Sequence, residues 1–394
     1  MKKLLMATAA VALTAGGALA EEVKIGISLG FTGPLESMSP GMASGAELAM
    51  KEVSDSGKLL GGDTVVSDRG DSTCIDAAAA TATVERLITA DGVKGIVGGM
   101  CSGETTASLQ NAAMPHGMVM ISPSATSPAL STLDDNGLFF RTAPSDARQG
   151  EVMADEILER GIKSVALTYT NNDYGKGLAD SFAAAYEAKG GKVTINSAHD
   201  DGKADYAAEV GALAAAGGDA LVIAGYVDQG GSGILRGALD TGAFSTFVFP
   251  DGMVGKTLED NFGKEIDGSF GQYPASEGEG HDKYMALATA AGYDGSSTYS
   301  AEAYDAAALI MLAMQAAGST DPNVYKAKVM DVANGPGEKI YPGDLAKALE
   351  LIKDGKPVDY DGATSVTLIC NGEAAGTFRE IDIKDGKIET VKYR

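Results

Sequence analysis

The chain has 394 residues, 44% of them hydrophobic, and carries 54 acidic against 31 basic residues for a formal charge of −23. A surface that acidic repels phosphate backbones and anionic lipid, which argues against nucleic acid or a membrane surface as partner. The length is enough for two domains with sizeable cores.

In chain order, Met1-Lys2-Lys3 is a short cationic start, Leu4 to Leu13 an apolar stretch too short to span a bilayer, and Ala18-Leu19-Ala20 a small-residue cleavage signal. This order reads as an export signal, cleaved after Ala20, that frees the mature chain from Glu21 onward into the periplasm or outside the cell. No Cys follows the cleavage point, so no lipid anchor is expected. The mature chain keeps 29 basic against 54 acidic residues, a formal −25. No later window holds the roughly 18 uninterrupted apolar residues a membrane helix needs. The nearest, AAALIMLAMQAA (306–317), reads as a buried core helix.

EVKIGISLG (22–30) alternates Val23, Ile25, Ile27 and Leu29 on one face, and the helical GAELAMKEV follows. VKGIVGG (93–99), GMVMIS (117–122), KSVALTY (163–169), KVTIN (192–196), DALVIAG (219–225) and STFVFP (245–250) are further strand candidates. Between them run Ala/Glu/Leu-rich segments that stop at Gly. Strand and helix alternating at this spacing mean parallel sheets covered on both faces, and the pattern is too long for one open sheet. Two are expected, with RTAPSDARQG (141–150) as the crossover between them. Near the end, Asn371-Gly372 and Asp385-Gly386 sit between alternating runs and predict antiparallel hairpins, because both central residues of a type I′ turn need positive φ.

In open parallel sheets, ligands bind beyond the carboxyl ends of the strands, where helix N-termini offer unpaired N–H groups. The polar residues at those places are Ser102, then Ser124, Ala125 and Thr126 after VMISP, Asn172 to Gly175 after VALTY, Tyr226 after LVIAG, and Asp251 after FVFP. Hydroxyls and amides suit a carboxylate, an aspartate suits an ammonium, and tyrosine faces suit apolar or cationic groups. The competing reading is that the hydroxyls cap helices and the Tyr and Asp residues make turns.

Enzyme chemistry finds little material. Gly26-Ile27-Ser28-Leu29-Gly30 has the G-x-S-x-G spacing but lies inside a strand rather than on the sharp turn a nucleophile elbow needs. His116, His199 and His281 are scattered, and the one in AHDDGK reads as a solvated loop histidine. No G-x-G-x-x-G follows the first strand. Asp134-Asp135 and Asp200-Asp201 lack a calcium-loop pattern and read as surface turns. Three cysteines in an exported chain allow one pair and leave one over.

VKIGISLGFTGP with Gly45 twelve residues past Gly33, the MCSGETTAS turn, VMISPSATSPAL, NNDYGKGLADSF and FVFPDG resemble the leucine/isoleucine/valine-binding proteins. These are the extracytoplasmic substrate-binding components of ABC transporters for branched-chain and other amino acids, and the resemblance covers nearly the whole mature chain. It implies an α/β, two-lobed periplasmic binding protein fold of type I, each lobe a mainly parallel sheet flanked by helices, hinged by crossover strands. The expected division is 1–20 signal peptide, 21–143 with 276–358 as lobe I, and 144–275 with 359–394 as lobe II. It implies that Ser102 and Thr126 hold a ligand carboxylate, with Ala125 beside them. By the same resemblance the Ser124 backbone and the Asp251 side chain hold an ammonium, Tyr174 and Tyr226 come from the second lobe, and Met38 and Tyr273 wall the side-chain pocket. Met38 stands where the branched-chain binders have Tyr, and Asp251 is one methylene shorter than their Glu, so leucine-like specificity is in question.

The resemblance also pairs Cys74 with Cys101; closing a loop of that length stabilises by about 3.5 kcal/mol in the chain-entropy model. Cys370 then reads as a small buried hydrophobe. The implied partners are a small-molecule ligand, an amino acid first of all, and the membrane permease of an ABC importer. No cofactor, metal or catalytic residue is implied, and the chain is expected to be a monomer. The alternatives are the same fold binding a non-amino carboxylate, amide or urea, a receptor's ligand-sensing domain, or an extracellular hydrolase.

Overall fold

The computed structural model describes residues 20–394, and the expected export signal lies outside the described residues. The first part of the chain supplies five strands: β1 (Glu22–Leu29), β2 (Thr64–Asp71), β3 (Ile96–Gly98), β4 (Met120–Ser122) and β5 (Phe139–Arg141). Their connections are α1 (Ser39–Ser56) between β1 and β2, α2 (Ala77–Thr89) between β2 and β3, and α3 (Ser102–Ser108) between β3 and β4. The second part repeats the scheme with β6 (Ser164–Thr170), β7 (Lys192–His199), β8 (Ala220–Ala224), β9 (Phe247–Phe249) and β10 (Phe270–Pro274). Its helices are α4 (Asp146–Glu159), which enters the lobe, and α5 (Asp173–Ala188), α6 (Ala207–Ala216), α7 (Gly230–Thr241) and α8 (Lys256–Phe262), which connect successive strands. Each run forms its own mainly parallel sheet, one in the order β5-β4-β3-β1-β2 and one in the order β10-β9-β8-β6-β7.

These strands are short and apolar because helices cover both faces, which makes continuous burial, rather than alternation, the requirement. Every residue of Ala220–Ala224 is buried. The edge strand β2, TVVSDRGD, has only Val65 and Gly70 buried, and its polar composition hid it from the apolar pattern.

After β10 the chain returns to the first lobe with α9 (Glu279–Ala291) and α10 (Ser300–Ala317), followed by β11 (Glu338–Ile340) and β12 (Val358–Tyr360), which pair as a separate two-stranded sheet. Fifteen of the eighteen residues of α10 are buried, as its apolar composition requires. It packs on α1 so closely that a Cβ on Gly45 would lie 2.1 Å from the Ser300 carbonyl oxygen. Ser300 Oγ also donates to the Gly41 carbonyl at 2.7 Å.

Both hairpins form: β13 (Leu368–Ile369) with β14 (Glu373–Ala374), and β15 (Phe378–Lys384) with β16 (Lys387–Tyr393). Asn371, Asp385 and Gly386 take the positive φ that their turns require. The two hairpins go to different sheets. The pair β13 and β14 extends the first sheet beyond β5, and β15 with β16 extends the second beyond β10. The expected boundary at 358/359 is therefore corrected, because residues 368–374 belong with the first sheet. The buried Arg141 of β5 forms an ion pair with Glu373 of β14, which fixes that edge in place.

The chain passes between the sheets at 142–145, 275–278 and 375–377. Two of these crossovers are tied side by side, Ala275 N–H to the Thr377 carbonyl (3.2 Å) and Thr377 Oγ1 to the Ala275 carbonyl (2.6 Å). The lobes also meet directly, through Ser37 N–H to Asp228 Oδ2 (2.9 Å), Asp228 N–H to the Pro34 carbonyl (3.1 Å) and Thr298 Oγ1 to the Val254 carbonyl (2.8 Å). No helix among the described residues is long and apolar enough to cross a membrane.

Gly45→Ala is expected to lower stability by about 1–3 kcal/mol through overpacking, although alanine is the better helix former by up to ~1 kcal/mol. Urea unfolding measures the net effect.

Candidate functional site

The carboxyl ends of both sheets face each other across the cleft. On the first, β3 leaves its sheet through Gly98, whose φ of 144° is open to glycine alone. Cys101 stands before α3 and Ser102 opens it. Glu104 reaches back to accept from the N–H groups of Met100 (2.7 Å) and Cys101 (3.2 Å), and from Ser72 Oγ at 3.1 Å. A Cys74–Cys101 disulfide, with Cα atoms 5.1 Å apart, ties this turn to the loop after β2. Ser124 Oγ donates to the Met100 carbonyl (2.8 Å), and Ser102 Oγ accepts from Ser127 N–H (3.0 Å), leaving its own proton free to donate.

From the second sheet, Asn172 caps α5 by accepting from Gly175 N–H (3.0 Å), which sets Tyr174 in the first turn. The ring of Tyr174 stacks on that of Tyr226, centroids 5.2 Å apart and planes 10° from parallel. Asp251 follows β9. Its Oδ1 accepts from Gln149 Nε2 (2.7 Å) and Tyr174 OH (2.9 Å), and its Oδ2 from Tyr299 OH (2.6 Å). Tyr299, just before α10, belongs to the first lobe, so one carboxylate holds donors from both lobes. Leu35, Met100, Ser102, Ser124, Tyr174, Tyr226, Asp251 and Tyr299 border one enclosed cavity. Space there for the centres of water molecules amounts to about 10 Å³, on the scale of one water.

Two acids dominate the electrostatics. Burial raises the pKa of Asp251, and the three donors partly offset that. Burial also raises Asp146, followed by the charge of Asp251; Arg141 works the other way. Both carboxylate oxygens of Asp146 and Thr126 Oγ1 are buried without a well-formed hydrogen bond, although the hydroxyl lies near enough to favour the ionised carboxyl. Among the described residues no lysine or arginine forms an ion pair with either acid. The pair is a buried cluster of two carboxyls whose burial favours the protonated forms, and a cation placed beside it would favour the ionised ones.

A family model described as periplasmic binding protein matches residues 22–336. The Leu/Ile/Val-binding protein homolog 1 of Brucella melitensis is 30% identical over 354 residues, 88% of this chain and 92% of that protein. The chain belongs to the periplasmic binding protein family. Among solved structures, a leucine-binding protein of Thermotoga maritima superimposes with a TM-score of 0.79 at 21% identity, covering 94% of this chain and 98% of that one. A solute-binding protein of Rhodopseudomonas palustris in complex with p-hydroxybenzoic acid gives 0.76 at 18% identity, covering 95% and 97%.

Of the residues singled out in the sequence of this binding protein, Ser102, Ser124, Tyr174, Tyr226 and Asp251 border the same cavity. Thr126 is buried behind it. Ala125 faces away, its carbonyl accepting from Arg141 at 3.1 Å. Met38 and Tyr273 border a neighbouring crevice instead of the cavity, so neither walls the enclosed space. His199 is buried rather than solvated: it ends β7, its Nδ1 lies 2.8 Å from Thr168 Oγ1, and burial pulls its pKa down to about 4. The reading of the Cys370 side chain lies outside the described residues. Tyr299, Gln149 and Asp146 had gone unnoticed. Tyr299 follows a helix-to-helix loop rather than a strand, and the other two lie within or next to the crossover segment, so the strand-end criterion could not reach them.

Complete burial pushes the Glu104 carboxyl up to about 7, against the three donors that favour its ionised form. The folded chain thus keeps this proton up to about pH 7, whereas the unfolded chain releases it near the ordinary value of 4.5. Stability falls as pH rises between those two values and levels off above them. Urea unfolding at pH 5 and pH 8 is expected to show a less stable protein at pH 8. Glu104→Gln, which cannot titrate, should remove roughly 2–3 kcal/mol of that difference, while Glu302 and Glu156, both pushed up to about 8 by burial, sustain the remainder.

Proposed function

We propose that this protein is the extracytoplasmic substrate-binding component of an ABC importer and captures an amino acid by closure of its two lobes. The observation that carries this is the buried Asp251, which lies beside Asp146 and is hydrogen-bonded from both lobes with no cationic partner of its own. A ligand ammonium supplies the missing charge. The ligand carboxylate is met by Ser102 Oγ, whose proton is uncommitted; Thr126 does not border the cavity, and its hydroxyl lies beside Asp146. The stacked Tyr174 and Tyr226 rings line the wall on the second lobe. The names of the Brucella and Thermotoga proteins agree with an amino-acid ligand.

Binding begins on the first lobe, whose cradle is held by the Cys74–Cys101 disulfide and Glu104, and closure brings Tyr174, Tyr226 and Asp251 onto the ligand. Both lobes contact the ligand only when closed, so ligand shifts the hinge population towards the form a permease can recognise. Export with cleavage after Ala20 fits this role. The Rhodopseudomonas complex supports a second reading, an aromatic carboxylate without an ammonium resting on the tyrosine pair.

On ligand-stripped protein, amino acids are expected to raise the melting temperature while matching carboxylates, amides and urea leave it unchanged. Stabilisation confined to ligands without an amino group would replace the amino-acid reading with the second one. By calorimetry, Asp251→Ala should cost about 2–5 kcal/mol of amino-acid binding; unchanged affinity would remove the ammonium from this site.

A further inference from the structure

Beside the enclosed cavity lies a crevice of about 360 Å³ bounded by both lobes. Three segments supply neighbouring residues to both spaces. Leu35, Gly252 and Tyr299 border the cavity, while Met38, Val254 and Thr298 border the crevice. Met38 and the Thr298–Val254 hydrogen bond belong to the segments that the two spaces share, and a methionine yields readily to a ligand.

The crevice holds a cation with no anion. Arg379 donates through Nη1 to Tyr273 OH at 2.7 Å, and its guanidinium carbon lies 5.6 Å from the centre of that ring. Its Nε is buried with no hydrogen-bond partner, and no carboxylate among the described residues forms an ion pair with it. In a chain with 54 acidic residues against 31 basic, an arginine left without one is conspicuous. The other charged residues along the crevice are engaged: Lys387 with Glu259 (2.9 Å), Lys256 with Asp260 (2.6 Å), and Asp294 with Ser296 (2.7 Å).

Sheet register sets the spacing to the ammonium-binding residue. Tyr273 of β10 is the register partner of Arg379 of β15, and Asp251 lies just past the end of β9, which pairs with β10 on its other side. Arg379 and Asp251 thus belong to segments two strands apart in one sheet, a lateral spacing of about 10 Å. An amino acid held at Asp251 with its side chain directed into the crevice presents its far end to the guanidinium.

The geometry points to a ligand with a second anionic group: an α-amino acid whose side chain ends in a carboxylate, paired with Arg379. This rests on the amino-acid reading of the cavity and names its substrate class.

Calorimetry on the ligand-stripped protein compares L-glutamate and L-2-aminoadipate with L-glutamine and L-leucine. An acidic member is expected to bind at least tenfold more tightly than the neutral ones, and Arg379→Met to abolish that preference while the melting temperature without ligand stays near the wild-type value. Equal or tighter binding of glutamine or leucine by the wild-type protein overturns the inference without any variant. So does an acidic preference that survives Arg379→Met. If neutral amino acids bind and acidic ones do not, this inference alone fails; if no amino acid binds at all, the reading of the cavity fails with it.

Discussion

A carboxylate removed from water has to be compensated, and the architecture around Asp251 follows from that requirement. Gln149 enters from the first turns of α4, Tyr174 from the start of α5 and Tyr299 from the opposite lobe. Three separate chain segments converge on two oxygen atoms. Their donors favour the ionised aspartate, while burial and the charge of Asp251 push the neighbouring Asp146 carboxyl towards its protonated form. A site arranged in this way discriminates by charge before it discriminates by shape. It also joins the two lobes, because Tyr299 comes from the first and Asp251 from the second.

The two halves of the site are built differently. The first-lobe half is stiff. Its turn is tied by the disulfide to a second loop, its backbone N–H groups are taken up by Glu104, and Gly98 allows the sharp exit from β3. The second-lobe half consists of large side chains, with Tyr174 and Tyr226 stacked on one another at the end of parallel strands. A rigid half on one lobe and an aromatic half on the other suit a hinged binding protein, in which each half need be well formed only on its own lobe.

Most of the fold was legible because covered parallel strands write themselves as apolar runs, and each of the seven runs singled out contains or overlaps an observed strand. The polar edge strand β2 was not, since an edge has no need of continuous burial. The strand-end rule found Ser102, Ser124, Tyr174, Tyr226 and Asp251, all of which leave a sheet at its carboxyl side. It was blind to Tyr299, which arrives from a helical loop, and to Gln149 on α4. Met38 and Tyr273, brought in by family resemblance, proved to border the adjoining crevice. His199 shows the limit of local reading: AHDDGK looks like a polar loop, yet the histidine is the last residue of a strand and its ring turns inward. The Asn371-Gly372 and Asp385-Gly386 turns announced their hairpins, but nothing local says which sheet a hairpin will join.

That last point bears on the order in which the molecule can be finished. The first sheet receives its outer pair of strands only at residues 368–374, and the second only at 378–393. During synthesis from the amino end, neither lobe has its full complement of strands until the final stretch of chain has been made. The tail of the chain is thus the stretch that completes both sheets at once.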